Sequence, residues 1–334
     1  MRILIRPRLP VLALLLLAPA IPELLTGSTP VTPLFYNPFA FLLSFAFDVA
    51  LYGTGALLIR EFAVAFDKGW ASILLAGAAY GIAEEGFAVH TFFEPSGNPV
   101  GLLAVYGHAF GVNWLWALGL TIFHATYSIS LPILLTQLWF PGVRKVRWFD
   151  GAAIALIALV YLFTVVVFDL SVGHRASPGA FLLFLGIALA LLVLAYRVPG
   201  NLLRARAGPS KLGPWALVLA GSASFLAWIV VLVMASGHPV PAWVAALFLF
   251  VVNGAVLFLL LRRVGTERLE WSKFYFATGM LGILFVWDVV IAEFMVPGIV
   301  LVTAVFVYLL FRLRGTLRAR ETRVSLGASA DAAL

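Results

Sequence analysis

The chain has 334 residues, of which 63% are hydrophobic and only 11% are charged. A soluble domain of ordinary composition has about 25% charged residues, so this chain lacks the charge to cover itself in water and most of it must be solvated by lipid. It contains no cysteine, which excludes disulfides, thiolate metal ligands and a cysteine nucleophile. The formal net charge of +7 comes from Lys and Arg clustered between apolar runs, a pattern that indicates control of membrane topology rather than nucleic-acid binding.

Ten apolar segments are long enough to span a membrane, since about 20 apolar residues cross a hydrocarbon core of roughly 30 Å. They lie near residues 9–26, 38–61, 69–92, 111–136, 151–170, 178–197, 214–236, 240–262, 273–293 and 297–313. We therefore expect an all-α fold, a polytopic transmembrane helix bundle of about ten spans that forms a single domain over residues 1–313. The small and polar end of the chain, 314–334, is predicted to be a disordered cytoplasmic tail.

The basic residues predict the orientation of these spans. With the N-terminus in the cytoplasm, all of the 22 Lys and Arg residues except Arg175 fall on the inner side, which predicts a cell-membrane protein with both termini inside. Arg60 and Glu61 are expected to snorkel at the inner rim of the second span. Residues 1–20 also imitate a signal peptide. The apolar run continues through Leu25, which favours a retained helix, whereas cleavage would leave nine spans.

The third predicted span carries two adjacent carboxylates, Glu84 and Glu85. Ionisable groups inside a span are costly and usually functional. Helical spacing places Gly77, Tyr80, Gly81 and Glu84 on one face, where the two glycines permit close approach of another helix. We expect Glu84 to face protein, with Glu85 on its flank and one proton shared between them, as acid/base catalysis or proton transport requires. The alternative is a hydrogen-bonded pair that only fixes helix packing.

A polar stripe on the fourth span is the expected partner of these carboxylates. It consists of Asn113, Thr121, His124 and Ser128. His124 could act as a base, a metal ligand or a proton relay, or could form an ordinary interhelical hydrogen bond. We expect Glu84 and His124 to belong to one polar network, although their different depths argue partly against direct contact.

Two further carboxylates lie in other spans. Asp48 lies near the middle of the second span with Tyr52 one turn away, and Asp288 lies in the ninth, at a depth where it could meet Glu84. The candidate binding or relay residues are therefore Asp48, Tyr52, Tyr80, Asn113, Thr121, Ser128 and Asp288.

Paired glutamates on one span, followed by a histidine on the next, resemble the CAAX prenyl endopeptidase and bacteriocin-processing (CPBP) membrane family. The matching residues are Glu84-Glu85 and Phe123-His124, with Ser128 four residues after the histidine. The resemblance implies a multi-pass intramembrane peptidase in which Glu84 or Glu85 is the base that activates water. It also implies that His124 stabilises the oxyanion or binds a metal.

The chain departs from the family pattern outside these residues. The arginine expected after the glutamate pair is replaced by Val89, the aromatic residue before the histidine by Leu120, and a later His-x-x-x-Asn motif is missing from the sequence.

Three functions therefore remain open, and the sequence leaves open whether the protein is an enzyme. These are an intramembrane hydrolase of a peptide or lipid-linked substrate, a proton-coupled transporter or permease of a small or lipophilic substrate, and a non-catalytic membrane scaffold. A divalent metal at Glu84 and His124 is a further hypothesis.

Overall fold

The computed structural model describes residues 8–94, 101–237 and 240–331. This part of the chain forms ten long helices: α1 8–24, α2 Pro38–Ala65, α3 70–88, α4 Trp114–Trp139, α5 Gly151–Ser171, α6 Pro178–Arg197, α7 Pro214–Gly237, α8 Ala242–Arg263, α9 269–292 and α10 Ile299–Asp331. Short helical turns lie at Pro33–Tyr36, Thr91–Phe93, Gly101–Ala104, Pro141–Val143 and Glu293–Met295. Before α4, strands β1 His108–Ala109 and β2 Val112–Asn113 pair antiparallel, with His108 opposite Asn113.

Within the described residues, eight helices are long and apolar enough to cross a membrane, namely α2 and α4 to α10. The chain is therefore a multi-pass helical membrane protein, as its composition predicts. Helices α1 and α3 occupy the positions of the first and third predicted spans but fall outside this set of eight. The count of ten spans and the orientation across the membrane remain predictions.

The end of the chain differs from its expected form. The sequence predicts a disordered tail over 314–334, but α10 continues as a helix to Asp331. The guanidinium of Arg320 donates hydrogen bonds to the carbonyls of Leu138 at 2.8 Å and Trp139 at 2.7 Å, which are among the carbonyls that the C-terminus of α4 leaves free. The indole of Trp271 donates to Glu321 at 3.1 Å. These contacts hold the extension of α10 against α4 and α9.

The predicted inner loops lie at one end of the bundle. The ammonium group of Lys68, after α2, donates to the carbonyl of Val198, after α6, at 3.2 Å. Arg144, after α4, lies 3.7 Å from Glu270 at the start of α9. These loops follow α2, α4, α6 and α8. Because the loops meet at one end of the bundle, these four helices all run toward that end, as a bundle of alternating direction requires.

The sequence analysis expected Arg60 and Glu61 at a solvated rim. The structure instead buries both residues, and each is only 2% exposed. They form a buried ion pair. Arg60 also donates to the carbonyls of Val143 at 2.8 Å and Val146 at 2.6 Å, and its guanidinium lies 3.6 Å from the ring centroid of Trp148. Glu61 accepts the backbone N–H of Trp148. Each buried charge is thus paired and hydrogen-bonded, and the pair holds the α4–α5 loop against α2.

Helices α3 and α4 pack closely at the centre of the bundle. A Cβ atom added to Gly77 would lie 3.0 Å from Cα of Ala125, and one added to Gly81 would lie 2.8 Å from Cβ of His124. The predicted small-residue face of α3 is therefore confirmed as its contact with α4. In its most apolar window α4 is 61% buried, whereas α5 is only 6% buried. The polar helices thus form the interior, and the plain apolar helices face lipid.

Candidate functional site

In the described part of the chain, five helices contain a π-helical turn, and each turn contains or directly follows a buried or half-buried acidic or histidine residue. The turns are Ala20–Leu24 in α1, Val49–Gly53 in α2, Ala83–Ala88 in α3, His124–Ser130 in α4 and Asp288–Ala292 in α9. Glu23, Glu84, Glu85, His124 and Asp288 lie inside these turns, and Asp48 immediately precedes one. Such turns are rare and are frequent at functional sites.

Glu84, Glu85 and His124 meet between α3 and α4, and each is less than 10% exposed. Nε2 of His124 lies 3.0 Å from Oε1 of Glu85, within hydrogen-bond distance. Nδ1 of His124 lies 2.9 Å from Oγ of Ser128 and 3.3 Å from Oε2 of Glu84. The structure therefore brings both carboxylates into direct contact with the imidazole, despite the difference in depth counted from the sequence.

Glu85 is held from its other side by the segment after α3. Its Oε2 accepts a hydrogen bond from the hydroxyl of Thr91, and the hydroxyl oxygen of Thr91 accepts one from Nε1 of Trp116 at 2.9 Å. Both oxygens of Glu85 are therefore occupied. In contrast, Oε2 of Glu84 is buried and has no hydrogen-bond partner among the described residues.

Aromatic side chains form the wall around the imidazole of His124. The ring centroids of Tyr52 and Tyr80 lie 6.0 Å and 6.1 Å from that of His124, and Tyr161 of α5 lies 6.0 Å from Tyr80. The sequence predicts Tyr52 and Tyr80 as binding or relay residues, and the structure places both next to the cluster. These rings place largely apolar surface next to the imidazole, and polar interactions in such a low-dielectric site are stronger than in water.

A second polar network, centred on Glu23, adjoins the cluster. The hydroxyl of Tyr52 donates to Oε1 of Glu23 at 2.5 Å, while the hydroxyl of Thr29 lies 3.1 Å from Oε2 of Glu23 and 3.0 Å from Oδ2 of Asp48. The sequence analysis missed Glu23 because it lies near the end of the first predicted span. Its presence within an otherwise apolar run was the signal that could have identified it.

Besides Asp48, three predicted site residues lie outside the cluster. Asn113 belongs to β2 rather than to α4, and its buried amide donates to the carbonyls of Thr91 at 3.3 Å and Glu94 at 3.1 Å. Thr121 is half-buried on α4. Asp288 is fully buried, but it accepts a hydrogen bond from Thr303 of α10 at 2.6 Å. The sequence analysis expected that Asp288 could meet Glu84. Asp288 instead pairs with Thr303, because α9 packs against α10 at this point.

The segment that leaves α3 covers the cluster at the other end of the bundle from the basic loops. His90 has a positive φ of 55° and reverses the chain. Its Nε2 lies 2.8 Å from Oδ1 of Asp169, at the end of α5, and its carbonyl lies 3.1 Å from Nε2 of His174. Asp169 is also paired with Arg175 at 3.0 Å, the one basic residue that the topology rule left outside. These contacts fix the position of Thr91, and through it that of Glu85.

The cluster has the donor set of a cation site. Glu84, Glu85 and His124 each offer a ligand atom, and these atoms lie within 4.8 Å of one another. Two carboxylates and an imidazole in a low-dielectric site can exchange protons, orient a water molecule or bind a divalent ion.

Comparisons with known proteins add no relative: no family model, curated protein or solved structure matches the chain. The function must therefore be argued from the geometry of the site.

Proposed function

We propose that this protein is an integral-membrane hydrolase that cleaves a peptide or lipid-linked substrate residing in the bilayer. The observation that carries the proposal is the convergence of Glu84, Glu85 and His124 in one buried cluster. A carboxylate beside an oriented imidazole is the arrangement that water activation requires. The resemblance of the Glu84-Glu85 and Phe123-His124 pattern to the CPBP family favours a peptide bond as the substrate.

The hydrogen bonds divide the roles among these three residues. Both oxygens of Glu85 are occupied, by His124 and Thr91, so Glu85 acts as the group that orients the imidazole. Oε2 of Glu84 accepts no hydrogen bond among the described residues and lies 3.3 Å from Nδ1 of the same ring, so Glu84 is the proton acceptor. His124, held by Ser128 and Glu85, stabilises the oxyanion that forms.

The reaction then balances with water as the only co-reactant. Glu84 takes a proton from a water molecule while the oxygen of that water forms a bond to the carbonyl carbon of the substrate. Negative charge moves to the carbonyl oxygen, next to His124. When the tetrahedral intermediate collapses, the bond to the leaving group breaks and that group receives the proton from Glu84. The aromatic wall of Tyr52 and Tyr80 keeps the site apolar enough for these charges to interact strongly.

The test is a hydrolysis assay on the full chain in lipid nanodiscs, with fluorogenic transmembrane peptides and lipid esters as substrates. We expect turnover by the wild type, and a loss of about 100-fold or more in Glu84→Gln and in His124→Ala, as removal of an acid/base group predicts. The matched control is Asp288→Asn, which removes a buried carboxylate outside the cluster and should keep activity. Equal activity in wild type, Glu84→Gln and His124→Ala would contradict the proposal.

Proton-coupled transport is the second candidate, and the network at Glu23 is the observation that favours it. Asp48, Thr29, Glu23 and Tyr52 form a hydrogen-bonded series that ends at the aromatic wall of the cluster. Carboxylates in series within a membrane are typical of proton pathways. In proteoliposomes that contain a pH-sensitive dye, a transporter should show a substrate-driven proton flux that is lost in Glu23→Gln. A scaffold should show neither this flux nor hydrolysis.

A further inference from the structure

We infer that the loop between α6 and α7 and the loop between α8 and α9 together bind the headgroup of an anionic phospholipid. The inference goes beyond the proposed function and does not depend on it. Its basis is a group of exposed basic residues that the two loops bring together, next to helices whose apolar side chains face lipid. We call this group the basic platform, and it consists of Arg204, Arg206, Lys211, Arg262 and Arg263.

Backbone hydrogen bonds join the two loops and hold these charges side by side. The N–H of Arg206 donates to the carbonyl of Val264 at 3.2 Å, and the N–H of Lys211 donates to the carbonyl of Arg263 at 2.8 Å. The guanidinium of Arg206 also donates to the carbonyl of Arg262 at 3.3 Å, at the end of α8. Basic residues from two separate loops therefore share one surface.

Two glycines make the contact between the loops tight. Gly208 turns the chain with a positive φ of 98°, and a Cβ atom added to Gly265 would lie 2.1 Å from the carbonyl oxygen of Gly208. The N–H of Thr266 donates to the carbonyl of Arg206 at 2.8 Å. The loops thus present their charges on a fixed backbone, and a ligand that binds there does not have to order the backbone first.

The basic platform carries more positive charge than its surroundings neutralise. Residues 198–213 contain no acidic residue, and Glu267 is the only one in 264–268. In the described part of the chain, the side chains of Lys211 and Arg263 form no hydrogen bond or ion pair. Control of topology requires basic residues at this end of the bundle, but it does not require two loops to join so that unpaired charges converge. A phosphate group would supply the missing negative charge.

The helices beside the basic platform indicate that this phosphate belongs to a lipid. Trp215, in the first turn of α7, is 80% exposed, and Leu219, one turn further along, is also exposed. On α8 the exposed ring of Phe258 lies 5.3 Å from the guanidinium of Arg262. In a multi-pass membrane protein such surfaces contact acyl chains, and tryptophan is typical of the headgroup level. Basic groups directly above apolar helix surfaces are the arrangement that recognises an anionic phospholipid.

The test uses the full chain, purified in detergent and freed of lipid, with phosphatidylglycerol and phosphatidylcholine as probes. Native mass spectrometry separates the lipid-bound forms and gives a Kd for each lipid. We expect the wild type to bind phosphatidylglycerol at least about 10-fold more tightly than phosphatidylcholine. The combined variant Lys211→Gln, Arg262→Gln and Arg263→Gln should lose about 100-fold in affinity for phosphatidylglycerol, since each basic residue near an anionic headgroup contributes about fivefold. Unchanged affinity in this variant would overturn the inference.

The matched control removes the same charge from the exposed surface of α10. It combines Arg314→Gln, Arg318→Gln and Arg323→Gln, three exposed residues outside the two loops. This variant should keep the wild-type affinity for phosphatidylglycerol to within about threefold, because its charges are not part of the basic platform. Equal losses in the two variants would also overturn the inference, since net charge alone would then explain binding.

The wild type decides by itself if the platform variant fails to fold. A higher melting temperature with phosphatidylglycerol than with the same amount of phosphatidylcholine supports the inference, as linkage requires of a ligand specific to the folded state, and no difference overturns it. Inorganic phosphate at the same concentration tests for a free anion. We expect it to leave the melting temperature unchanged, and a rise equal to that with phosphatidylglycerol would overturn the assignment to a lipid. None of these measurements involves hydrolysis, so they leave the proposed function to its own test.

Discussion

His124 is the residue on which the cluster depends, since it contacts three polar side chains from two helices. Its ring nitrogens are occupied by Glu85 at 3.0 Å and by Ser128 at 2.9 Å, with Glu84 at 3.3 Å. In a buried site of low dielectric, such a network is worth more than its separate bonds, and losing one member leaves the others unpaired. We therefore expect the stabilising free energy of the cluster to belong to the whole network and not to be a sum of separate contributions from its residues.

A double-mutant cycle on Glu85→Gln and His124→Ala measures this sharing. We expect non-additive destabilisation, with an interaction energy of about 0.5–3 kcal/mol, because the two side chains are in direct contact. Thermal unfolding in detergent provides the measurement. Asp288→Asn with His124→Ala is the control pair and should be additive, since Asp288 has its own partner in Thr303. Strictly additive effects of Glu85→Gln and His124→Ala would show that the contact between these two side chains does not contribute to the free energy of unfolding.

The π-helical turns act at the scale of the helix by changing which residues face the same partner. Adjacent residues of a regular α-helix lie about 100° apart around the axis, so Glu84 and Glu85 would not normally both reach one imidazole. A π turn closes its hydrogen bonds over five residues instead of four and changes the rotation locally. In α3 the turn Ala83–Ala88 contains both carboxylates, and in α4 the turn His124–Ser130 contains both His124 and Ser128. The two helices therefore present four polar groups to one another.

Close approach of α3 and α4 is the second requirement, and Gly81 provides it. In Gly81→Ala the new Cβ would lie 2.8 Å from Cβ of His124, so the helices must separate, and we expect a loss of about 1–3 kcal/mol in the free energy of unfolding. The matched control is Gly186→Ala on α6, where a Cβ meets nothing within 4 Å in the described structure. That substitution should be neutral or stabilise by up to about 1 kcal/mol. Equal effects in thermal unfolding would contradict this account of the interface.

The whole molecule separates polar from apolar helices. Helices α1 to α4 carry the cluster and the Glu23 network, and α9 adds the buried Asp288, whereas α5, α6 and α8 are 6%, 17% and 11% buried in their most apolar windows. A second close helix contact, besides that of α3 with α4, lies between α7 and α9, where the hydroxyl of Ser222 donates to the carbonyl of Gly279 at 2.9 Å. Burial of the polar helices behind apolar ones is what a lipid solvent demands.

The orientation of the molecule is predicted from its charge and can be tested by fusion. The basic loops that meet at one end of the bundle should lie in the cytoplasm, and the C-terminus with them. A cytoplasm-active reporter fused after Arg323 should give signal, and the same reporter placed after Arg175 should give none. Signal from a periplasm-active reporter after Arg323 would reverse the orientation. Both fusions leave the cluster at Glu84 untouched.

The sequence by itself determined the class of the protein and the identity of its central residues. Apolar runs with too little charge for water require a helical membrane bundle, and the cost of charge in lipid singled out Glu84, Glu85 and His124. The spacing of Gly77 and Gly81 predicted the face of α3 that contacts α4. These conclusions follow from composition and from local periodicity, which the chain shows without its fold.

Only the tertiary structure decided which of these groups meet. It paired Glu85 with His124 directly, because π turns cannot be read from α-helical periodicity. In the tertiary structure Glu23 belongs to one hydrogen-bonded network with Asp48 and Tyr52. Asp288 pairs with Thr303, and Arg60 and Glu61 are buried under the α4–α5 loop. Each of these depends on the rotation and depth of one helix against another, and those quantities are set by side-chain packing between segments that lie far apart in sequence.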